Sequence, residues 1–142
     1  MVNNRIELKF SAVSDNEAFA RSVIACFALK LNPSISEISD IKTAVSEAVT
    51  NAIVHGYPTS NGEIVLIAEI IGNTLHINVS DNGVGIENLE DALEPFYTTK
   101  PEDERSGMGF TIMKSFMDKI DVTSKIGEGT NVYMLKSIKA DA

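Results

Sequence analysis

The stretch EIVLIAEIIGNTLHINVSDNGVG (residues 63–85) decides the architecture. Residues 63 to 71 form an apolar run of strand length, Gly72-Asn73 is a two-residue turn signal, and Leu75, Ile77 and Val79 then recur on alternate positions. Such a dipeptide between two strand-like runs predicts an antiparallel hairpin with the second strand over Thr74 to Ser80. Asp81 shares the parity of Leu75, Ile77 and Val79, so a strand that continues one residue further turns a carboxylate towards the core. A carboxylate placed there needs a hydrogen-bond donor. Asn82-Gly83-Val84-Gly85 follows at once, and its two glycines let the backbone approach a ligand closely. The same residues are also compatible with a plain turn that ends the hairpin.

Upstream, Ile6, Leu8 and Phe10 alternate with Glu7 and Lys9, the period of a strand with one buried face. Ser14 and Glu17 stand at capping-box spacing and open a helix to about Leu31. Pro33, Ser34 and Glu37 repeat that start signal, and Ile35, Ile38, Ile41, Val45, Ala48 and Ala52 trace an apolar stripe towards Gly56. Downstream, Asp81 to Gly107 shows weak periodicity and many polar residues, and a connection of that length is usually functional, often a lid. Phe110, Ile112, Met113, Phe116 and Met117 resume helical spacing after Gly109. Strands follow at about 120–124 and 130–137, joined by Lys125 to Gly129. This order predicts an α+β fold, a two-layer sandwich whose mixed, largely antiparallel sheet carries its helices on one face. No repeat, low-complexity tract or linker interrupts the chain, so residues 1–142 are expected to form a single domain.

A net charge of −8 over 142 residues argues against non-specific affinity for a nucleic-acid backbone or an anionic membrane, which reward clustered Lys and Arg. No run approaches the ~20 apolar residues of a membrane span, and Met1 to Phe10 lack the apolar core of a signal peptide. A cytoplasmic protein is expected. The single cysteine, Cys26, lies among apolar residues of the first helix and reads as a core thiol in a reducing compartment.

Glu47 and Asn51 stand one helical turn apart, with His55 next in the row. A carboxylate and an amide oxygen so placed can supply the proton acceptor and magnesium ligand that phosphoryl transfer requires, although a solvated helix face has the same spacing. Ser106-Gly107-Met108-Gly109 stands directly before a helix, where free amides and the positive end of the helix dipole suit phosphate; an ordinary loop-to-helix joint reads alike. Gly127-Glu128-Gly129-Thr130 is compatible with a hairpin turn or with support for a ligand. On an acidic surface, an anionic ligand would need local donors such as Lys100 and Arg105.

Taken in order, Glu47-x-x-x-Asn51, Asp81-x-Gly83-x-Gly85, Gly107-x-Gly109 and Gly129-Thr130 resemble the nucleotide-binding boxes of the GHKL ATPase and kinase superfamily, over about residues 40 to 135. Neither the Walker lysine loop nor the glycine-rich loop of the eukaryotic-type kinases is present. Within the superfamily, EAVTNAIVHGY (residues 47–57) and TTKPEDERSGMGFTIM (residues 98–113) resemble the sporulation anti-sigma serine kinases, over nearly the full length. The resemblance implies the GHKL (Bergerat) fold and a protein that silences a sigma factor of the sigma F type. It further implies that Mg-ATP is used to phosphorylate a serine of an anti-anti-sigma protein, and that the chain forms a homodimer built on the first strand.

Carried onto this sequence, the resemblance makes Asp81 the acceptor for the adenine amino group, supported by Gly85 and Thr130, with Gly83 also in the nucleotide site. Asn51 would bind Mg2+, and Glu47 would orient or deprotonate the attacking serine. His55, Thr98, Thr99, Lys100 and Arg105, with Ser106 to Phe110 (Gly107, Met108 and Gly109 among them), would complete the ATP or ADP site. Arg21, on a helix face with Glu17, Ala25 and Ala28, would contact both protein partners; by spacing alone it is an ordinary exposed arginine. Bound ATP or ADP would order the loop from about 86 to 105 and so bias which partner is held. A histidine kinase shares the boxes but needs a phospho-accepting histidine on a separate helix, a place that neither His55 nor His76 occupies. A gyrase- or chaperone-type ATPase needs further domains. The remaining alternative is a nucleotide-gated module that sequesters a sigma factor without transferring phosphate, for which neither Glu47 nor Asn51 would be required.

Overall fold

A computed structural model describes residues 2–57, 62–86, 89–93 and 109–139. The 63–85 stretch folds as the hairpin its pattern requires. β2 (Glu63–Ile71) and β3 (Thr74–Asp81) pair antiparallel, with Ile64 opposite Asp81 and Ile71 opposite Thr74. Gly72 turns the corner at φ +61, a conformation that strains residues with a Cβ. β1 (Asn4–Ser11) lines the free edge of β2; β5 (Gly129–Ser137) pairs with β3, and β4 (Lys119–Lys125) lies outermost. The order is β1-β2-β3-β5-β4, and every pairing among the described residues is antiparallel, so the described sheet lacks the parallel component expected of a mixed one. The cause is the excursion after β3, through α3 (Leu89–Ala92) and α4 (Gly109–Phe116), which returns the chain as an outer hairpin whose second strand docks on β3.

Alternation along the strands buries one face, including Phe10, Ile64, Leu66, Leu75, Ile77, Val79, Val132 and Met134. These join residues of α1 (Asp15–Ala28), α2 (Ile35–Asn51) and α4 in one hydrophobic cluster, so the helices pack on a single face. Fully buried side chains such as Ile41 and Leu66 each contribute roughly 1.5–3 kcal/mol relative to exposure. The stripe of α2 differs in part from the expected one. Ile41, Ala44, Val45, Ala48 and Val49 are buried, whereas Ile35, the first residue of the helix, is 90% exposed. On α1 the buried positions are Ala20, Ile24, Phe27 and Ala28, which leaves Cys26, two residues from Ile24 and therefore across the helix, exposed rather than in the core.

The two helix starts also differ. At α2 the capping box forms in full: Ser34 Oγ accepts from the Glu37 amide at 3.1 Å and Glu37 Oε1 accepts from the Ser34 amide at 2.9 Å. At α1 it does not, because Ser14 is itself helical (φ −54, ψ −34) and its hydroxyl makes no cap bond. The Glu17 carboxylate instead accepts from Ser46 Oγ of α2 at 2.6 Å and faces Arg21 at 3.6 Å. After Ala28 the chain tightens into one 3-10 turn, Leu29–Leu31, ended by Asn32 in the left-handed region at φ 52. Lys136 is buried, and its Nζ donates to the Phe116 carbonyl at the end of α4 (2.7 Å) and to Asp40 Oδ2 on α2 (3.5 Å). Among the described residues, no helix is long and apolar enough to cross a membrane.

Candidate functional site

The site is built where the end of α2 meets the end of β3. α2 does not stop at Asn51 but passes into a π-helical turn, Ala52–Gly56, a widened winding that recurs at functional sites. This turn sets Gly56 against Asp81: a Cβ on Gly56 would stand 2.8 Å from Asp81 Cγ and 2.9 and 3.0 Å from its oxygens. No side chain at position 56 is compatible with the carboxylate where it lies.

β3 continues through Asp81, and the parity argument holds: the residue is only 8% exposed. Oδ1 accepts from the Gly83 amide at 2.9 Å. Burial pushes the carboxyl above its ordinary range, against the amides of Gly83 and Thr130, which pull it down. These two donors partly satisfy the buried carboxylate. Its two oxygens offer about four lone-pair sites, so acceptor capacity remains for a ligand donor.

The glycine segments converge on that carboxylate. The Val84 amide donates to the Gly56 carbonyl at 2.9 Å, and Gly83 passes so close to the same oxygen that a Cβ would come within 1.8 Å of it. Gly85 (φ +79) packs on the Lys125 carbonyl, and Gly129 (φ +106) on the carbonyl of Asp81. The Gly127 amide donates to the Val84 carbonyl at 2.9 Å. Ser124 closes the far side: its Oγ accepts from the Ile86 amide at 2.7 Å and is hydrogen-bonded to Thr130 Oγ1 at 2.8 Å. Residues 81–86 and 124–130, distant in sequence, thus form one backbone-lined wall.

Glu47 and Asn51 are half-buried on the last turns of α2, and His55 is half-buried on the π-helical turn, whose winding departs from the spacing on which the row of three was drawn. Gly109 is buried at the start of α4, and Phe110 packs partly into the core. Thr98, Thr99, Lys100, Arg105, Ser106, Gly107 and Met108 lie outside the described residues, as does most of the expected lid. Arg21 lies on α1, paired with Glu17, and Ala28 is buried rather than on a shared open face. The sequence reading missed Gly56, Tyr57 and Ser124. Gly56-Tyr57 closes the quoted 47–57 motif and was open to notice; nothing in the sequence marks Ser124.

Residues 10–136 match the family model described as the histidine kinase-like ATPase domain. An anti-sigma F factor of Clostridium acetobutylicum is 55% identical over 136 residues, covering 96% of this chain and 95% of the relative. That of Anoxybacillus flavithermus is 52% identical over 138 residues, covering 96% and 94%. Among solved structures, the RsbU and RsbW domains of a Mycobacterium tuberculosis protein superpose with a TM-score of 0.68 at 20% identity, over 96% of this chain and 32% of that longer one. Full-length ShkA in complex with AMPPNP gives 0.60 at 17% identity, over 90% and 30%. These structural likenesses establish the fold, and the close relatives establish the family: the chain belongs to the anti-sigma F factors, which are built on the histidine kinase-like ATPase domain.

Proposed function

We propose that this protein is a cytoplasmic anti-sigma factor that binds a sigma factor of the sigma F type and, as a Mg-ATP-dependent serine kinase, phosphorylates an anti-anti-sigma antagonist. The observation that carries the reading is the junction of α2 with β3. One continuous element bears Glu47 and Asn51 and then lays Gly56 on a buried carboxylate with acceptor capacity to spare. The nucleotide's base and phosphate ends can therefore be registered by a single continuous segment.

In this reading Asp81 accepts from the adenine amino group, and the backbone around Gly83, Gly85 and Thr130 fits the base edge. Asn51 supplies a side-chain oxygen for Mg2+, a metal that usually keeps phosphate oxygens and waters in the rest of its shell. When bound, the metal neutralises phosphate charge. Glu47 holds the acceptor serine and takes its proton. Gly109, at the start of α4, brings helix amides towards phosphate, joined by Thr98, Thr99, Lys100, Arg105, Ser106, Gly107 and Met108; His55 and Phe110 border the nucleotide. Arg21 serves the protein partners. Residues 1–142 act as one domain and pair as a homodimer through β1, an edge strand bonded to β2 alone in the described sheet.

The test mixes the protein with labelled Mg-ATP and a serine-bearing anti-anti-sigma protein, and compares wild type with Glu47→Gln. Transfer should fall by about 10²–10⁴-fold, the range of a lost general base, while ATP binding persists. Equal transfer by the variant would remove Glu47 from its role. Sigma-factor binding without transfer by the wild type would mean a sequestering module.

A further inference from the structure

Two consecutive residues, Gly56 and Tyr57, hold the base end of the site from behind. Tyr57 Oη donates to the Glu63 carbonyl at 2.8 Å and accepts from the Asn82 amide at 2.7 Å. The next two residues are held by Gly56, whose carbonyl accepts from the Val84 amide at 2.9 Å and leaves no room for a Cβ on Gly83. The Asp81 carboxylate rests on the Cα of Gly56. Tyr57 is fixed in turn by Gly62, where a Cβ would come within 2.2 Å of the ring carbon Cε1. Residues 81 to 84 are therefore each held by residue 56 or 57, and these two are the direct continuation of the helix that carries Glu47 and Asn51.

We propose that Tyr57 is a positioning residue for purine selection, fixing the Asn82–Val84 turn and thereby the direction of the Asp81 carboxylate. The proposal rests on the assignment of Asp81 to the adenine amino group. A carboxylate accepts from an exocyclic amino group but is repelled by the carbonyl oxygen that guanine places there. Discrimination therefore depends on the carboxylate being unable to swing aside. The carboxylate's anchor is the Gly83 amide, and Gly83 lies between two residues whose amides end on Tyr57 and Gly56. Without the Tyr57 hydroxyl, the Asn82 amide and the Glu63 carbonyl lose a fixed partner and the turn gains a path to relax. A phenylalanine keeps the ring against Gly62 and removes only the two hydrogen bonds.

The experiment measures Mg-ATP and Mg-GTP dissociation constants by calorimetry on the full chain for wild type, Tyr57→Phe, Asp81→Asn and the double variant, with thermal midpoints in parallel. Tyr57→Phe should weaken ATP by about fivefold, the equivalent of one hydrogen bond, and leave GTP nearly unchanged, so the ATP-to-GTP preference narrows. The double variant should bind ATP no more weakly than Asp81→Asn alone, as expected of residues acting through one another. A wild-type ATP-to-GTP ratio in Tyr57→Phe overturns the proposal, whatever happens to the thermal midpoint, and so do additive losses. Unchanged ATP affinity in Asp81→Asn refutes the adenine assignment itself, a failure distinct from that of Tyr57.

Discussion

Replacing Lys136 by methionine tests whether the buried ammonium anchors the helical layer. Lys136 is 8% exposed, and its Nζ lies 2.7 Å from the Phe116 carbonyl at the C-terminus of α4 and 3.5 Å from Asp40 Oδ2 on α2. The short bond is charge-assisted, a class worth about 1.5–3 kcal/mol. It also ends on a carbonyl at the negative end of a helix, which adds about 0.3–1 kcal/mol. The Asp40 contact is long and its side chain is 28% exposed, so it contributes under ~1 kcal/mol. Methionine retains most of the buried stem, so packing changes little. These terms sum to about 2–5 kcal/mol, and the cost of burying the ammonium, which methionine avoids, offsets part of them, leaving a loss of about 2 kcal/mol, or roughly 7 °C in thermal midpoint for a chain of this size. Urea denaturation should show a lower midpoint with an unchanged slope. Asp40→Asn should cost less than half as much. A Lys136→Met loss below about 0.5 kcal/mol would refute the reasoning, since it would mean that water serves the Phe116 carbonyl equally well.

Gly83→Ala places a methyl group 1.8 Å from the Gly56 carbonyl oxygen, a backbone atom that cannot swing aside as a side chain would. It should cost about 1–3 kcal/mol or more and abolish tight Mg-ATP binding; melting and titration calorimetry check the two, and wild-type affinity would contradict the close approach. Glu37→Gln should show an acid-dependent effect. The carboxyl of Glu37 is held below its ordinary 4.5, first by the Ser34 amide, against a smaller upward push from burial, and then by the Lys139 amide. A depressed value gives stability that is present above 4.5 and lost as pH falls through the folded value, so the wild type should exceed the variant at neutral pH and converge with it in acid. A difference independent of pH would exclude the capping carboxylate as its source.

The parts legible in the sequence were those set by local repetition. The hairpin of residues 63–81 followed from alternation and the Gly72-Asn73 turn, and the start of α2 from Ser34 and Glu37, where residues three apart complete each other's hydrogen bonds. The same reasoning failed at Ser14 and Glu17, because Ser14 takes a helical conformation and Glu17 instead accepts from Ser46, far along the chain. It failed at Cys26 for another reason: an apolar neighbourhood in sequence says little about which side of a helix a residue occupies when its turn is apolar nearly all round.

The candidate site divides along the same line. Parity alone turned the carboxylate of Asp81 inward, since a strand has a period of two and the side chain has no other choice once the ladder reaches it. Motif order alone recovered the family. What tertiary structure decided is how that carboxylate is held: by Gly56 against its face, by amides from Gly83 and Thr130, and by Tyr57 gripping the turn behind it. Those contacts join α2, β3 and the β4–β5 hairpin, segments dozens of residues apart. Local pattern carries information only about a residue's own strand or helix face; which backbones come within van der Waals distance is settled when the layers pack.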